Sequence, residues 1–343
     1  RMTEHFLPDG DDAPKKARKA LRSHVEKTLA DDAPWLPRAG RRLVGIGGTM
    51  RNLAAAVQAE EGLPSLGVQG FEIRRERLGD LIDELADLPA SKRASLKGIK
   101  YARADLILAG AIVVQGVMEA GGFDAIEVTE AGLREGIFFG SHLEGDPPLF
   151  DDVRRASVLN LAARYKVDPA HTEHVCRLAL GLFDELAAAG LHEGERWERE
   201  LLWCAGVLHD IGMSIDYDDH HKHSRYLILN AGLPGFAPRE VALIAQAARY
   251  HRKGMPDFAE LEPLTDDGDC DRLNRMAILL RLAEDLERSR DQSVHAAHVR
   301  ADDATVRLEL EADGAASVER WAAQREVDLF DRAFDKRLKV QSP

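Results

Sequence analysis

The sequence predicts a mixed α/β region, then an all-α region, then a small α/β tail. Strand and helix patterns alternate from Leu43 to Thr129, and Gly145-Asp146-Pro147-Pro148 then interrupts the chain. The next ~140 residues carry apolar periods near 3.6 with little β character, as helix packing requires. Finally, Ala304-Thr305-Val306-Arg307-Leu308-Glu309-Leu310-Glu311 alternates apolar and polar side chains. These breaks divide the chain at 1–144, 145–300 and 301–343.

Residues 11–30 pattern as an amphipathic, Lys/Arg-rich helix through Ala17, Ala20, Leu21, Val25 and Leu29, which Asp31-Asp32-Ala33-Pro34 breaks. Leu43 to Ile46 reads as a short buried strand that turns through Gly47, Gly48 and Thr49 into a helix from about Met50. Glycines there permit positive φ, and the helix N-terminus offers unpaired N–H groups to an anion. A polar helix around Leu78–Leu85, a helix from Ala104 through Ala120 and a strand at Ala125–Thr129 complete the region. In the helical region, His171 opens an apolar helix, a second ends at Leu208 and a third contains Leu279–Leu286. Asp266-Asp267-Gly268-Asp269 lacks the alternating ligands and distal glutamate of a calcium loop, so it reads as a solvated turn. In the tail, a helix around Val318–Phe334 follows the alternating strand, and Arg337–Val340 is placed to pair as another strand.

At 343 residues, 45% hydrophobic and 31% charged, the chain is long enough for about two domains with their own cores. A net charge of −13 argues against a general nucleic-acid binder. Cys176, Cys204 and Cys270 show no CxxC spacing, which suits a reduced, cytoplasmic protein. No apolar stretch approaches the ~18 residues needed to span a bilayer.

The chemistry concentrates at His209-Asp210, which ends the apolar run Leu201–Leu208 and precedes Ile211-Gly212. A His-Asp pair at a helix end is most often a cap or a satisfied polar contact. With His171 and Asp285, however, it makes two imidazoles and two carboxylates drawn from three helices, a ligand set for Mn, Fe, Zn or Mg. Two basic runs, Lys222-His223 with Arg225 and His251-Arg252-Lys253, supply local positive charge for a polyanion. For any single residue in them, a solvated, His-rich loop without a ligand is the plainer reading.

His171, His209-Asp210 and Asp285 with their flanks resemble an HD domain. The stretches His220–Asn230, Leu233-Pro234-Gly235-Phe236 and Arg249–Lys253 resemble the helical half of the exopolyphosphatase/guanosine pentaphosphatase (Ppx/GppA) family. Leu43–Thr49, Tyr101–Ala111 and Val128–Gly136 follow in that family's order, so the resemblance covers nearly the whole chain. It implies the second lobe of an actin-like (ribonuclease-H-like) fold, a helical HD-type domain and a C-terminal α/β module. It further implies hydrolysis of a phosphoanhydride, inorganic polyphosphate from its end or guanosine pentaphosphate, with Mg2+ as cofactor and Mn2+ or another divalent ion possible at the HD site. Gly47, Gly48 and Thr49 would line a cleft, while Lys222, His223, Arg225, His251, Arg252 and Lys253 would hold the anionic chain. A homodimer is also implied.

One departure stands out. The family's D-x-G-S and D-x-G-G-G-S phosphate loops and the glutamate between them do not occur, and Arg1–Leu7 resembles the segment just after the second loop. The chain is therefore expected to lack the catalytic first lobe, leaving its catalytic residues unassigned. Two other functions remain open: an HD site that is itself a metal phosphohydrolase for nucleotides or small esters, and a polyphosphate- or alarmone-binding and dimerisation module with vestigial HD residues. Arg103, Asp105, Arg134 and Glu135 are as compatible with structural ion pairs as with catalysis.

Overall fold

The computed structural model describes residues 1–8, 13–64 and 66–341, and the chain divides into two compact units, Arg1–Asp151 and Asp152–Pro343. The first unit begins with α1 (Met2–Phe6) and α2 (Lys15–Asp32). Residues 11 and 12 of the expected N-terminal helix lie outside the described residues. Strand β1 (Val44–Gly45), α3 (Gly48–Glu60), β2 (Phe71–Arg74), α4 (Arg75–Asp87), α5 (Ala90–Arg93), α6 (Ile107–Gly121), β3 (Ala125–Val128) and α7 (Leu133–His142) follow.

The three strands form one sheet in the order β1-β3-β2, with β1 parallel and β2 antiparallel to β3. Strand β2 is absent from the sequence reading, because Phe71-Glu72-Ile73-Arg74 alternates for only four residues before polar helix residues take over. Helix α6 packs against α2, α3 and α4, burying Ile107, Leu108, Ala111, Ile112 and Met118. Its Gly110 is a close-approach position: a Cβ there would lie 2.7 Å from Thr49 Cγ2 at the start of α3.

The second unit runs through α8 (Val153–Arg164), α9 (Pro169–Ala188), α10 (Arg196–Leu208), α11 (His220–Ala231), α12 (Pro238–Tyr250) and α13 (Asp269–Leu286). The tail comprises β4 (Val294–Ala301), β5 (Thr305–Ala312), α14 (Ser317–Ala323), α15 (Val327–Phe334) and β6 (Arg337–Gln341). The expected single helix over Val318–Phe334 is two helices joined by a 3-10 turn at Gln324–Glu326. Strand β4 was hidden by small residues and by the register shift between Val294 and Ala296. It pairs antiparallel to β5, and β6 pairs parallel to β5. Helix α13 is the axis of the unit: it contacts α9, α10, α12, α14 and α15 and buries Met276 through Ala283 continuously. Among the described residues, no helix is long and apolar enough to cross a membrane.

Arg154 ties α8 to the helical bundle. Its guanidinium donates to Glu200 Oε1 at 2.6 Å, Glu240 Oε1 at 2.9 Å and the Gly235 carbonyl at 2.8 Å, and lies 4.0 Å from the Phe236 ring centroid. Burial alone would raise the Glu240 pKa, but hydrogen bonds from Arg154, the Ala237 N–H and Trp197 outweigh it and hold it below 4.5. Removing the arginine leaves two part-buried carboxylates facing each other without a counter-charge. Arg154→Ala is therefore expected to cost on the order of 2–3 kcal/mol in urea unfolding. Because the folded-state pKa of Glu240 is lowered, its contribution is complete above its ordinary pKa and is lost as pH falls through the folded value. The difference between wild type and variant should thus shrink in acid; a pH-independent difference would contradict the ion-pair account.

Candidate metal centre

Five segments of the second unit converge on one point. Asp168 caps α9, its carboxylate accepting the N–H groups of Ala170 at 3.1 Å and His171 at 3.4 Å, which fixes His171 in the first turn. His209 and Asp210 directly follow α10, His220 opens α11, His251 directly follows α12, and Glu284 lies near the end of α13. The turn after Asp210 is held by Ser224, whose hydroxyl accepts the Gly212 N–H at 2.9 Å and donates to the His209 carbonyl at 2.5 Å. Gly212 is obligatory there, since a Cβ would stand 2.1 Å from the His220 carbonyl oxygen. Arg281 donates to the Tyr250 and Gly254 carbonyls, both at 2.7 Å, so α13 also fixes the loop that carries His251.

Two overlapping ligand groups result. His171, His209, Asp210 and Glu284 each place one donor atom within 4.8 Å of the others, and so do Asp210, His220 and His251; Asp210 belongs to both. The tautomers follow from the backbone. Nδ1 of His209, His220 and His251 lies 2.6, 2.9 and 2.7 Å from the carbonyls of Gly206, Tyr217 and Ala248, and a carbonyl only accepts. Each Nδ1 therefore carries a proton, so Nε2 is an acceptor when the ring is neutral and a donor when it is charged. The Nε2 atoms face one another and the carboxylates: His220 Nε2 is 3.1 Å from His251 Nε2 and 3.2 Å from Asp210 Oδ1. His209 Nε2 is 2.7 Å from Glu284 Oε1 without hydrogen-bond geometry.

Such a set suits a cation. Asp210 and Glu284 are carboxylates in a site where His209 and His251 are fully or almost fully buried, and unpaired buried charge is costly. Burial opposes a charge on His209, yet the Asp210 and Glu284 carboxylates raise its pKa well above the usual imidazole range. His251 is pushed down to about 4 by burial and by the charge of His209. The carbonyl ends of α10 and α12 point the same way, since helix C-termini favour cations. The donor set fits a divalent transition ion: mixed imidazole and carboxylate, convergent and with fixed tautomers.

Asp285, the expected fourth ligand, does not join either group; the neighbouring Glu284 does. Asp285 pairs with Arg288 at 3.4 Å, and burial with repulsion from Glu326 raises its pKa to about 7. One residue along a helix is a rotation of about 100°, enough to turn a carboxylate away from its neighbour's target. His220 was read only as part of a family-like stretch, and His251 as a phosphate contact. The signal for His251 was available: like His209, it immediately follows an apolar helical run.

The basic candidates separate. Lys222 and Lys253 share Asp219, at 2.6 and 3.5 Å, and Arg225 is engaged by Gln246 and Glu260. His223 is half-buried on α11. Of the two basic runs, His251 and Arg252 line a recess of about 280 Å3 that also takes in Asp210, Glu284, Arg288 and Arg290. In the first unit, Gly47 takes a φ of +98° as the N-cap of α3, followed by Gly48 and Thr49 in its first turn. Arg103 lies over Gly48, its Nη2 3.0 Å from where a Cβ would stand. Glu135 closes its own helix start by accepting the Gly132 N–H at 2.8 Å, a structural role.

The model of the Ppx/GppA phosphatase family matches residues 1–144, and that of Ppx/GppA phosphatase domain III matches residues 153–328. The chain belongs to the Ppx/GppA phosphatase family. It is 27% identical over 251 residues to a guanosine-5'-triphosphate,3'-diphosphate pyrophosphatase of Vibrio vulnificus, covering 73% of this chain and 48% of that protein. A pyrophosphatase of the same name from Aeromonas hydrophila is 27% identical over 271 residues, covering 78% and 51%. The chain thus spans about half the length of the curated relatives it matches. A solved Aquifex aeolicus family member is 25% identical, covering 40% of this chain and 44% of that one, with a TM-score of 0.34.

Gly212→Ala should destabilise the second unit by roughly 2–3 kcal/mol, because the new methyl meets backbone rather than a movable side chain. Thermal unfolding checks this, and an unchanged Tm would contradict the packing described.

Proposed function

We propose that the helical unit is a metal-dependent phosphohydrolase in its own right, acting on a phosphate ester or phosphoanhydride. The observation that carries this reading is the convergence of imidazole Nε2 atoms on Asp210 and Glu284, with the opposite nitrogens of His209, His220 and His251 held by backbone carbonyls. His171, His209, Asp210 and Glu284 would hold one ion, and Asp210, His220 and His251 offer ligands to another. A divalent ion there supplies Lewis acidity, polarising a phosphoryl oxygen and acidifying water. The protein's part is orientation and charge. Buried Glu287, 3.3 Å from His174 Nε2 and 4.0 Å from His171 Nδ1, backs the ligand layer, and Arg252, Arg288 and Arg290 place positive charge where a phosphate would enter.

The family match and the names of the relatives support a second reading, for the whole protein: hydrolysis of guanosine pentaphosphate or release of terminal phosphate from polyphosphate, with Mg2+. In that reading the chemistry lies outside the helical unit. A pure polyanion-docking role for the basic runs is the least supported, because Lys222, Lys253 and Arg225 are already paired with neighbours.

The purified chain should bind Mn2+ and release phosphate from p-nitrophenyl phosphate, polyphosphate or guanosine pentaphosphate. His209→Ala and Asp210→Ala should each lower bound metal and reduce turnover by at least about a hundredfold. Turnover retained in both variants would refute the helical metal centre as the catalyst, and its restriction to phosphoanhydrides would favour the second reading.

A further inference from the structure

We infer that Arg290 is the residue by which this recess selects a terminal, doubly charged phosphate over the singly charged internal phosphate of a diester; the inference rests on the metal-centre reading above. Four arginines line the recess, and three have other partners. Arg281 holds the Tyr250 and Gly254 carbonyls and Glu326, Arg288 pairs with Asp285 at 3.4 Å, and Arg252 lies 5.5 Å from the Tyr217 ring centroid. Arg290 Nη2 instead stands 3.2 Å from Asp210 Oδ2, the carboxylate shared by both ligand groups, while its side chain remains 46% exposed. It therefore touches the centre from the solvent side.

The loop that presents it is held under strain. Arg290 has a φ of +54° and Gln292 a φ of +58°, left-handed positions that a side chain disfavours. Such conformations persist where the surroundings over-determine them. Here the Arg290 N–H bonds the Glu287 carbonyl at 2.9 Å, and the Gln292 amide reaches the Ala170 carbonyl at 3.4 Å, next to His171. The loop is thereby tied to the end of α13 and to the start of α9, and its guanidinium meets Asp210. Its planar fork can donate two parallel hydrogen bonds to two oxygens of one phosphoryl group. A terminal phosphate offers three peripheral oxygens and two charges, so two oxygens remain for the fork when one faces the ligand groups. An internal phosphate has two peripheral oxygens and one charge, and loses one of those contacts.

Arg290→Gly tests this, because glycine tolerates the positive φ and the fold should survive. With Mn2+ present, orthophosphate affinity is expected to fall at least about tenfold, and kcat/KM for p-nitrophenyl phosphate roughly a hundredfold. For bis(p-nitrophenyl) phosphate, which keeps one of the contacts, the loss should be at least about tenfold smaller, and bound Mn2+ should not decrease. Arg290→Lys, which keeps the charge but not the fork, should restore only part of the phosphate affinity. Unchanged orthophosphate affinity, or equal losses on monoester and diester, would overturn the role of Arg290 and leave the metal centre standing. Failure of the unaltered protein to bind Mn2+ would overturn both.

Discussion

The second unit is organised around one buried carboxylate. Asp210 follows α10 among His209, His220 and His251, and burial there would be prohibitive without a neighbouring positive charge. The imidazoles hold its pKa far below the usual carboxylate range despite the burial. Yet three of those imidazoles have one nitrogen committed to a carbonyl, so their remaining nitrogens are acceptors whenever the rings are neutral. Either a proton or a metal ion must reconcile the acceptors, and ligands that arrive from five separate segments with fixed tautomers favour the metal.

Most of the helical packing can be read as the means of holding that arrangement. The Asp168 cap sets His171, Gly212 and Ser224 close the turn after the HD pair onto α11, and Arg281 on the central helix clamps the segment bearing His251. Each device is local and each acts on a different ligand. Their common product is preorganisation, which lets a site act on charge developing in a reaction without first rearranging. The loop that carries Arg290 at positive φ meets Asp210 from the solvent-exposed side.

Much of this was legible in the sequence where side-chain period was strong. The strands at Leu43 and Ala125, the helices of the second unit and the tail strands at Thr305 and Arg337 all follow apolar patterns. Strands β2 and β4 escaped because one is too short to establish a period and the other is built from small residues with a register shift. At the site, the HD pair and His171 announced themselves, since they bracket long apolar helices. The choice between Glu284 and Asp285 did not: adjacent carboxylates look alike in a string, and only the rotation of α13 distinguishes them. Likewise, a basic run reads as anion-binding until the structure shows Asp219 answering both Lys222 and Lys253.

The family models cover both units, and the imidazole–carboxylate cluster lies within the stretch matched as domain III. The α/β unit carries the Gly47–Thr49 helix start with Arg103 above Gly48, whereas the imidazoles and carboxylates lie wholly in the helical unit. Whether the helical cluster holds a metal ion is open to direct observation. An anomalous difference map from crystals of the chain grown with Mn2+ tests it most directly. The account predicts a peak in contact with His171, His209, Asp210 and Glu284, with His220 and His251 beside it facing the shared Asp210; a map without a peak at Asp210 would contradict it.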